Sequence, residues 1–476
     1  MPSDIRKHVG SASFSSSFIN LANTIIGAGV LAMPHAMATL GIFGGILVIT
    51  FAGMTSGFGL YLLTRCAKYV EDGRASFFQL SRRTYPSAAI FFDLAIALKT
   101  FGVAVSYLII ISNLMPQIIH AAVPSAKDSD FLMDRRFWLT VFMIIIVPLS
   151  FLRRLDSLKY TSVVSLFAIG YLVLLVVGHW ITGDTLPDRG LVKLFEWKGF
   201  VKFLNALPVF VFAFTCHQNI LSIVNEIEDT SQRQINGVVA TSIGGSWAVY
   251  LLVAITGYLS YGDKVNGNIV SMYPNSISAN IGRTAIVVLI LFSYPLQAHP
   301  CRASLDKIIV SAGRAMHLLN EKLPVSRTIS RHSSSVNLRG MRQEPEAQEE
   351  HISDLRWTLL TTFILIATYM VAFAVSSLEV VLSYVGATGS TAISFILPGL
   401  FYWRITGDSE DYLNVASDEQ AERDTEGDGE SAVWSQSEKQ RRYTRYGAAA
   451  LGIYGVVFMV VCLTLNIVGS ARHSGH

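Results

Sequence analysis

Runs of roughly 17–25 predominantly apolar residues, the length that crosses a hydrocarbon core, recur about eleven times along this chain. They begin near Phe14, Ile42, Ala88, Phe137, Tyr160, Val201, Gly237, Ile277, Leu355, Val380 and Tyr446. In lipid a segment must satisfy its backbone internally, so runs of this length predict helices. The expected fold class is an all-α polytopic membrane protein of about eleven transmembrane helices. With 51% hydrophobic and 15% charged residues, the composition excludes an ordinary soluble domain. The lipid bilayer is therefore the first partner. A net charge of +3 without a basic stripe gives no nucleic-acid footprint. Cys66, Cys216, Cys301 and Cys462 are scattered, with no zinc or disulfide spacing. No Gly-Lys dipeptide exists, hence no P-loop, and neither His-Glu-x-x-His nor Gly-x-Ser-x-Gly occurs. The chain does not read as an enzyme.

Basic residues orient the spans. The turns Met37–Gly41 and Ser377–Val380, after odd spans, lack them, although the loops after spans three and five hold several; the turns after spans two and four carry Arg65, Lys68, Arg74, Arg82 and Arg83, then Arg153, Arg154 and Lys159. That predicts a cytosolic N-terminus. The segmentation is a tail at 1–13, five spans over 14–181, five more over 200–404 and an eleventh at 445–469. The segments 312–354 and 405–444 read as disordered cytosolic loops. Arg327-x-x-Ser330 and Arg331-x-x-Ser334 are candidate kinase contacts, a pattern that also arises by chance. Tyr69–Pro86 is amphipathic and basic, suited to a membrane surface.

Inside the first span lies Ile19–Pro34, INLANTIIGAGVLAMP. Asn20, Asn23, Thr24 and Gly27 share one helical face. Gly27-Ala28-Gly29 then lowers helix propensity where no water can rescue the backbone. A break is expected there; an intact helix with a small-residue packing face is the alternative. Span six repeats the feature: Asn205 and Pro208 interrupt it early, and Thr215-Cys216-His217-Gln218-Asn219 fills its middle. His217 reads either as a proton-coupling group or as a neutral, hydrogen-bonded structural histidine. Two breaks five spans apart predict a LeuT-like 5+5 inverted repeat with helices 1 and 6 broken. In span eight, Ser293 beside Pro295 offers a hydroxyl and a freed carbonyl to a small cation, or simply kinks a packed helix. Asp93 and Lys99 of span three are expected near the interface. Gly53-x-x-x-Gly57 in span two and Gly386–Thr391 in span ten are expected to pack closely.

The stretches NLANTIIGAGVLAMP, FVFAFTCHQNILSIVNEIED and VGATGSTAISFILPGLFY resemble the amino acid/auxin permease family. The chain is similar to its fungal vacuolar amino acid transporters and to its sodium-coupled neutral amino acid transporters. The resemblance covers Phe14–Gly469. It implies alternating-access transport of amino acids, across a vacuolar membrane or alternatively the plasma membrane. It places the substrate at Thr24, Ile25, Ile26, Gly27, Ala28 and Gly29, with Phe212, Cys216 and His217 from span six. Sodium-coupled relatives use an Asn in span one and a Thr in span eight; the matching positions are Asn23 and Ser293. The threonine is not kept, so the expected coupling ion is H+, through His217, with Na+ at Asn23 and Ser293 as the alternative. No other cofactor or metal is implied. A transporter-like amino acid sensor that signals through the cytosolic loops is the competing class.

Overall fold

The computed structural model describes residues 10–70, 75–123, 130–152, 161–197, 199–322, 353–407 and 430–474. The regular structure among them is helical, with an isolated parallel bridge between Ala12 and Ile227. The first half contains α1 (Phe14–Ile25), α2 (Gly29–Ala38), α3 (Gly41–Ala67), α4 (Phe77–Thr84), α5 (Ala89–Ala122), α6 (Asp130–Met133), α7 (Arg135–Ser150) and α8 (Thr161–Thr182). The second contains α9 (Phe200–Ala213), α10 (His217–Glu226), α11 (Gln232–Tyr261), α12 (Ile277–Lys322), α13 (Asp354–Ala374), α14 (Leu378–Val385) and α15 (Leu397–Ile405). The last helix is α16 (Glu430–Ser474).

Among the described residues nine helical segments are long and apolar enough to cross a membrane, and the bent pair α1–α2 makes a tenth. Of the eleven expected spans, the one beginning near Phe137 corresponds to α7, which falls below that length. There α7 has 16 residues. At ~1.5 Å per residue it reaches about 24 Å, short of a ~30 Å core. Asp134 caps it, its carboxylate accepting from the Arg136 N–H at 2.9 Å.

The two faces of the helices explain the architecture. Phe43, Leu47, Phe51 and Met54 form an exposed apolar stripe at helical spacing along α3. Such a stripe is stable against hydrocarbon, not against water. Inside, α5, the α9–α10 segment and the α14–α15 segment are the most buried, while α8, α13 and α16 form the outer layer. The surface helix α4 starts with Ser76 accepting from Gln79 N–H at 3.2 Å, buries Phe77 and Leu80, and turns Arg82 and Arg83 outward.

Close packing falls at different glycines from those expected in span two. A Cβ at Gly53 or Gly57 would make ordinary contacts with Phe214 or Ile243, at 3.4 Å and 3.9 Å. At Gly59 it would lie 2.1 Å from the Ser394 carbonyl oxygen, so α3 meets span ten backbone to side-chain-free backbone. The span-ten expectation is borne out: a Cβ at Gly386 would lie 1.9 Å from the Pro208 carbonyl oxygen. Between α14 and α15 the chain forms two π-helical turns, Gly386–Ser390 and Ala392–Ile396. Thr391 donates to the Gly386 carbonyl at 2.6 Å, five residues back, and fastens the first of them.

One expectation about charge changes. Asp93 and Lys99 lie inside the protein at 7% and 4% exposure, so Lys99 does not snorkel to the surface. Arg302 is buried too, donating to Thr361 Oγ1 at 2.8 Å with its guanidinium over the Trp357 ring. Arg327, Ser330, Arg331 and Ser334, like the basic residues at 153–159, lie outside the described residues.

Candidate functional site

Helix α1 ends at Ile25 and α2 begins at Gly29, with axes 53° apart. Helical hydrogen bonding gives way to short-range turns, Gly27 N–H to Ile25 O at 2.9 Å and Val30 N–H to Gly27 O at 3.2 Å. Gly29 permits the close approach that follows: a Cβ there would lie 2.8 Å from Ala213 Cβ. No side chain caps the start of α2. An uncapped helix N-terminus inside a protein offers N–H groups and a favourable dipole to an anionic group. The C-terminal end of α1 offers carbonyls to a cation.

The second break has the same form with a smaller bend. Residues Phe214–Cys216 leave the helix between α9 and α10, yet the two halves still pass as one span, Phe200–Glu226. Neighbours satisfy the freed groups. Ser56 Oγ donates to Phe214 O at 2.8 Å, and Thr215 Oγ1 donates to Val211 O at 2.7 Å. His217 lies fully buried, with Nε2 3.1 Å from Ser56 O and Nδ1 3.1 Å from Ser394 Oγ. A carbonyl only accepts, so Nε2 carries the proton, and Nδ1 is free to accept from the Ser394 hydroxyl. The neutral ring is thus fully satisfied.

Tyr250 of α11 joins the two breaks. Its hydroxyl lies 2.6 Å from Ile25 O and 2.9 Å from Ala213 O, the C-terminal carbonyls of α1 and α9. Asn219 adds a second tie, Nδ2 donating to Thr24 Oγ1 at 3.0 Å, while Thr24 donates to Asn20 O at 2.9 Å.

Beside the first break is a cavity of about 60 Å³. One water needs roughly 10–15 Å³ by this measure, so the space holds several waters or the backbone end of a small zwitterion. Asn23, Ile26, Gly27 and Ala28 line it from the broken helix, Tyr107 from α5, and Ser293 from α12. The structure therefore brings together Asn23, Ile26, Gly27, Ala28 and Ser293. Thr24, Ile25, Gly29, Phe212, Cys216 and His217 are not in the lining; Thr24, Ile25 and Gly29 adjoin it through the broken helix, and the other three surround the second break. Among the described residues no group of three or more His, Cys, Asp or Glu is arranged to hold a metal ion. The sequence reading missed Tyr107 and Tyr250. Each is a tyrosine in mid-span, an apolar ring with a hydroxyl that needs a partner at membrane depth, and that was the available signal.

The chain matches the family described as transmembrane amino acid transporter protein over residues 10–416. It is 43% identical to vacuolar amino acid transporter 5 of Schizosaccharomyces pombe, the alignment covering 98% of this chain and 96% of that protein. It is 25% identical to sodium-coupled neutral amino acid symporter 2 of Danio rerio, over 83% and 76% of the two chains. Among solved structures it resembles MhsT in complex with L-phenylalanine, with a TM-score of 0.54, 11% identity, and 94% and 98% of the chains covered. At that identity the likeness speaks for the LeuT-like fold alone.

Proposed function

This chain belongs to the transmembrane amino acid transporter family, and on that premise we propose a secondary active transporter that moves amino acids across a vacuolar membrane in exchange for, or together with, protons. One observation carries the reading: the cavity sits at the break between α1 and α2, lined by Asn23, Gly27, Ala28 and Ser293. An amino acid presents a carboxylate and an ammonium a few ångströms apart. The uncapped start of α2 attracts the first, and the carbonyl end of α1 attracts the second. Closing the site around a zwitterion replaces its water with fixed dipoles, and reorienting the broken helices exposes it to the other side. The chain's N-terminus is taken as cytosolic from the basic residues of its turns.

Asn23 and Ser293 share the cavity, which supports Na+, held by the Asn23 and Ser293 oxygens, as the alternative coupling ion to H+. The test is uptake of a panel of radiolabelled amino acids into proteoliposomes under an imposed pH gradient and, separately, a sodium gradient. Flux driven by pH and indifferent to sodium is expected. Sodium-driven flux transfers the coupling to the Asn23–Ser293 pair. Saturable binding without flux under either gradient replaces transport with sensing.

A further inference from the structure

His35 lies on α2, about one turn beyond Leu31, the last residue of that helix to line the cavity. Its Nδ1 is 2.7 Å from the Val265 carbonyl oxygen, in the connection between α11 and α12. Its Nε2 is 3.0 Å from Glu379 Oε2, in the first turn of α14. The same connection presses on the carboxylate, since a Cβ at Gly267 would lie 2.8 Å from Glu379 Oε2. One imidazole therefore ties three elements, one of them the half-helix that frames the substrate cavity.

The geometry counts protons. Val265 O can only accept, so Nδ1 carries a hydrogen. If Nε2 carried none and Glu379 were ionised, two lone pairs would face each other at 3.0 Å. The contact is attractive only when the pair holds one more proton, as imidazolium against carboxylate or as a carboxylic acid donating to Nε2. We propose that the His35–Glu379 pair is the site of the coupling proton: protonated, it clamps α2 to α14; deprotonated, it releases α2. The inference rests on the proton-coupled reading above.

The neighbouring charged groups are exposed or engaged elsewhere. The other charged groups of the connection, Asp263 and Lys264, are exposed, and Asp263 Oδ1 already accepts from Leu191 N–H at 2.9 Å. At its end near α2, α11 brings Tyr258 and Tyr261, whose hydroxyls bond to Lys193 N–H and to Met272 O. The only charged residue of α3 is Arg65 at its far end, and that of α9 is Lys202 in its first turn. Across the turn after α2, Lys193 and Glu196 pair with each other at 2.8 Å. The side chains of His35 and Glu379 are 35% and 39% exposed, which leaves a proton a route to the pair. His217 is fully buried and meets no carboxylate.

The experiment uses the full chain in proteoliposomes and the ratio of amino acid uptake with an imposed pH gradient to uptake without one. His35→Gln, which keeps a donor for Val265 O, and Glu379→Gln are compared with the unsubstituted protein, each first shown to be monodisperse by size exclusion. The ratio is expected to exceed one for the unsubstituted protein and fall to about one in both variants. If the unsubstituted protein responds to pH and both monodisperse variants keep its ratio, the assignment to this pair is overturned while proton coupling stands. If the unsubstituted protein shows no response, proton coupling falls and the assignment with it. A variant that is not monodisperse is replaced by His35→Arg. Its permanent cation fixes the clamp, so its ratio is also expected at about one, and a ratio like the unsubstituted protein's overturns the site.

Discussion

The Tyr250 hydroxyl reaches the Ile25 carbonyl at 2.6 Å across 225 residues of sequence, and the same hydroxyl lies 2.9 Å from Ala213 O. A hydroxyl has one hydrogen, so the two carbonyls share a single donor. The C-terminal ends of α1 and α9 are thereby held to a common point. Any movement that separates the two breaks must choose which carbonyl keeps the bond.

Tyr250→Phe keeps the ring and removes that donor. Two buried carbonyls lose a partner, at a cost of about 1–3 kcal/mol. A lower melting temperature in detergent is expected, together with transport slowed more than substrate binding is weakened, because the lost contact spans both moving helices. Melting curves, and uptake rate measured apart from apparent affinity, check this. An unaltered uptake rate would make Tyr250 a packing residue.

Gly27→Leu is expected to abolish flux in a folded protein. An added Cβ has room, its nearest neighbour being Tyr107 Oη at 4.0 Å, but a whole isobutyl group fills the cavity. Gly59→Ala is the contrasting case. Its Cβ meets backbone at 2.1 Å, so the expected loss is in stability and expression, by roughly 1–3 kcal/mol or more. Expression, size-exclusion profile and uptake, measured on both variants, separate a filled site from a damaged fold.

The two breaks were legible because lipid makes local faults conspicuous. Asn23, Thr24 and Gly27 in one apolar run, or Thr215–Asn219 in another, have few explanations besides unwinding. What closes the breaks was not legible. Ser56, Tyr250 and Ser394 each lie far from them in sequence, in runs whose periodicity says nothing about partners. His35 and Glu379 were invisible for the same reason: 344 residues separate two ordinary polar side chains that the fold sets 3.0 Å apart. At α7 the difference in length has another origin, since the apolar run continues to Leu152 while the helix stops at Ser150. Phe212, Cys216 and His217 were grouped with the substrate positions by motif; the cavity lining itself comes from the broken first helix and from α5, α8 and α12.

Ser293→Ala removes a hydroxyl from the cavity that now donates to Leu289 O at 2.8 Å. The helix keeps its own hydrogen bonds, so stability should change by less than about 0.5 kcal/mol. Apparent substrate affinity is expected to weaken by up to about tenfold, the worth of one hydrogen bond. Replacing sodium by choline should leave uptake by the unsubstituted protein unchanged. Sodium stimulation that vanishes in Ser293→Ala would establish the alternative coupling ion.

His217→Ala separates a coupling histidine from a structural one. The ring bridges α3 and the π-helical segment of span ten through Ser56 O and Ser394 Oγ, and both oxygens are buried beside the second break. Deleting it removes one partner from each and leaves a void, so a destabilisation of about 2–4 kcal/mol is expected. The response of uptake to pH should survive in whatever protein remains folded, because the neutral ring already meets its bonding demand and needs no further proton. Uptake measured across pH, normalised to the monodisperse fraction, decides the point. A response lost in His217→Ala but retained in His35→Gln would move the coupling proton to the second break.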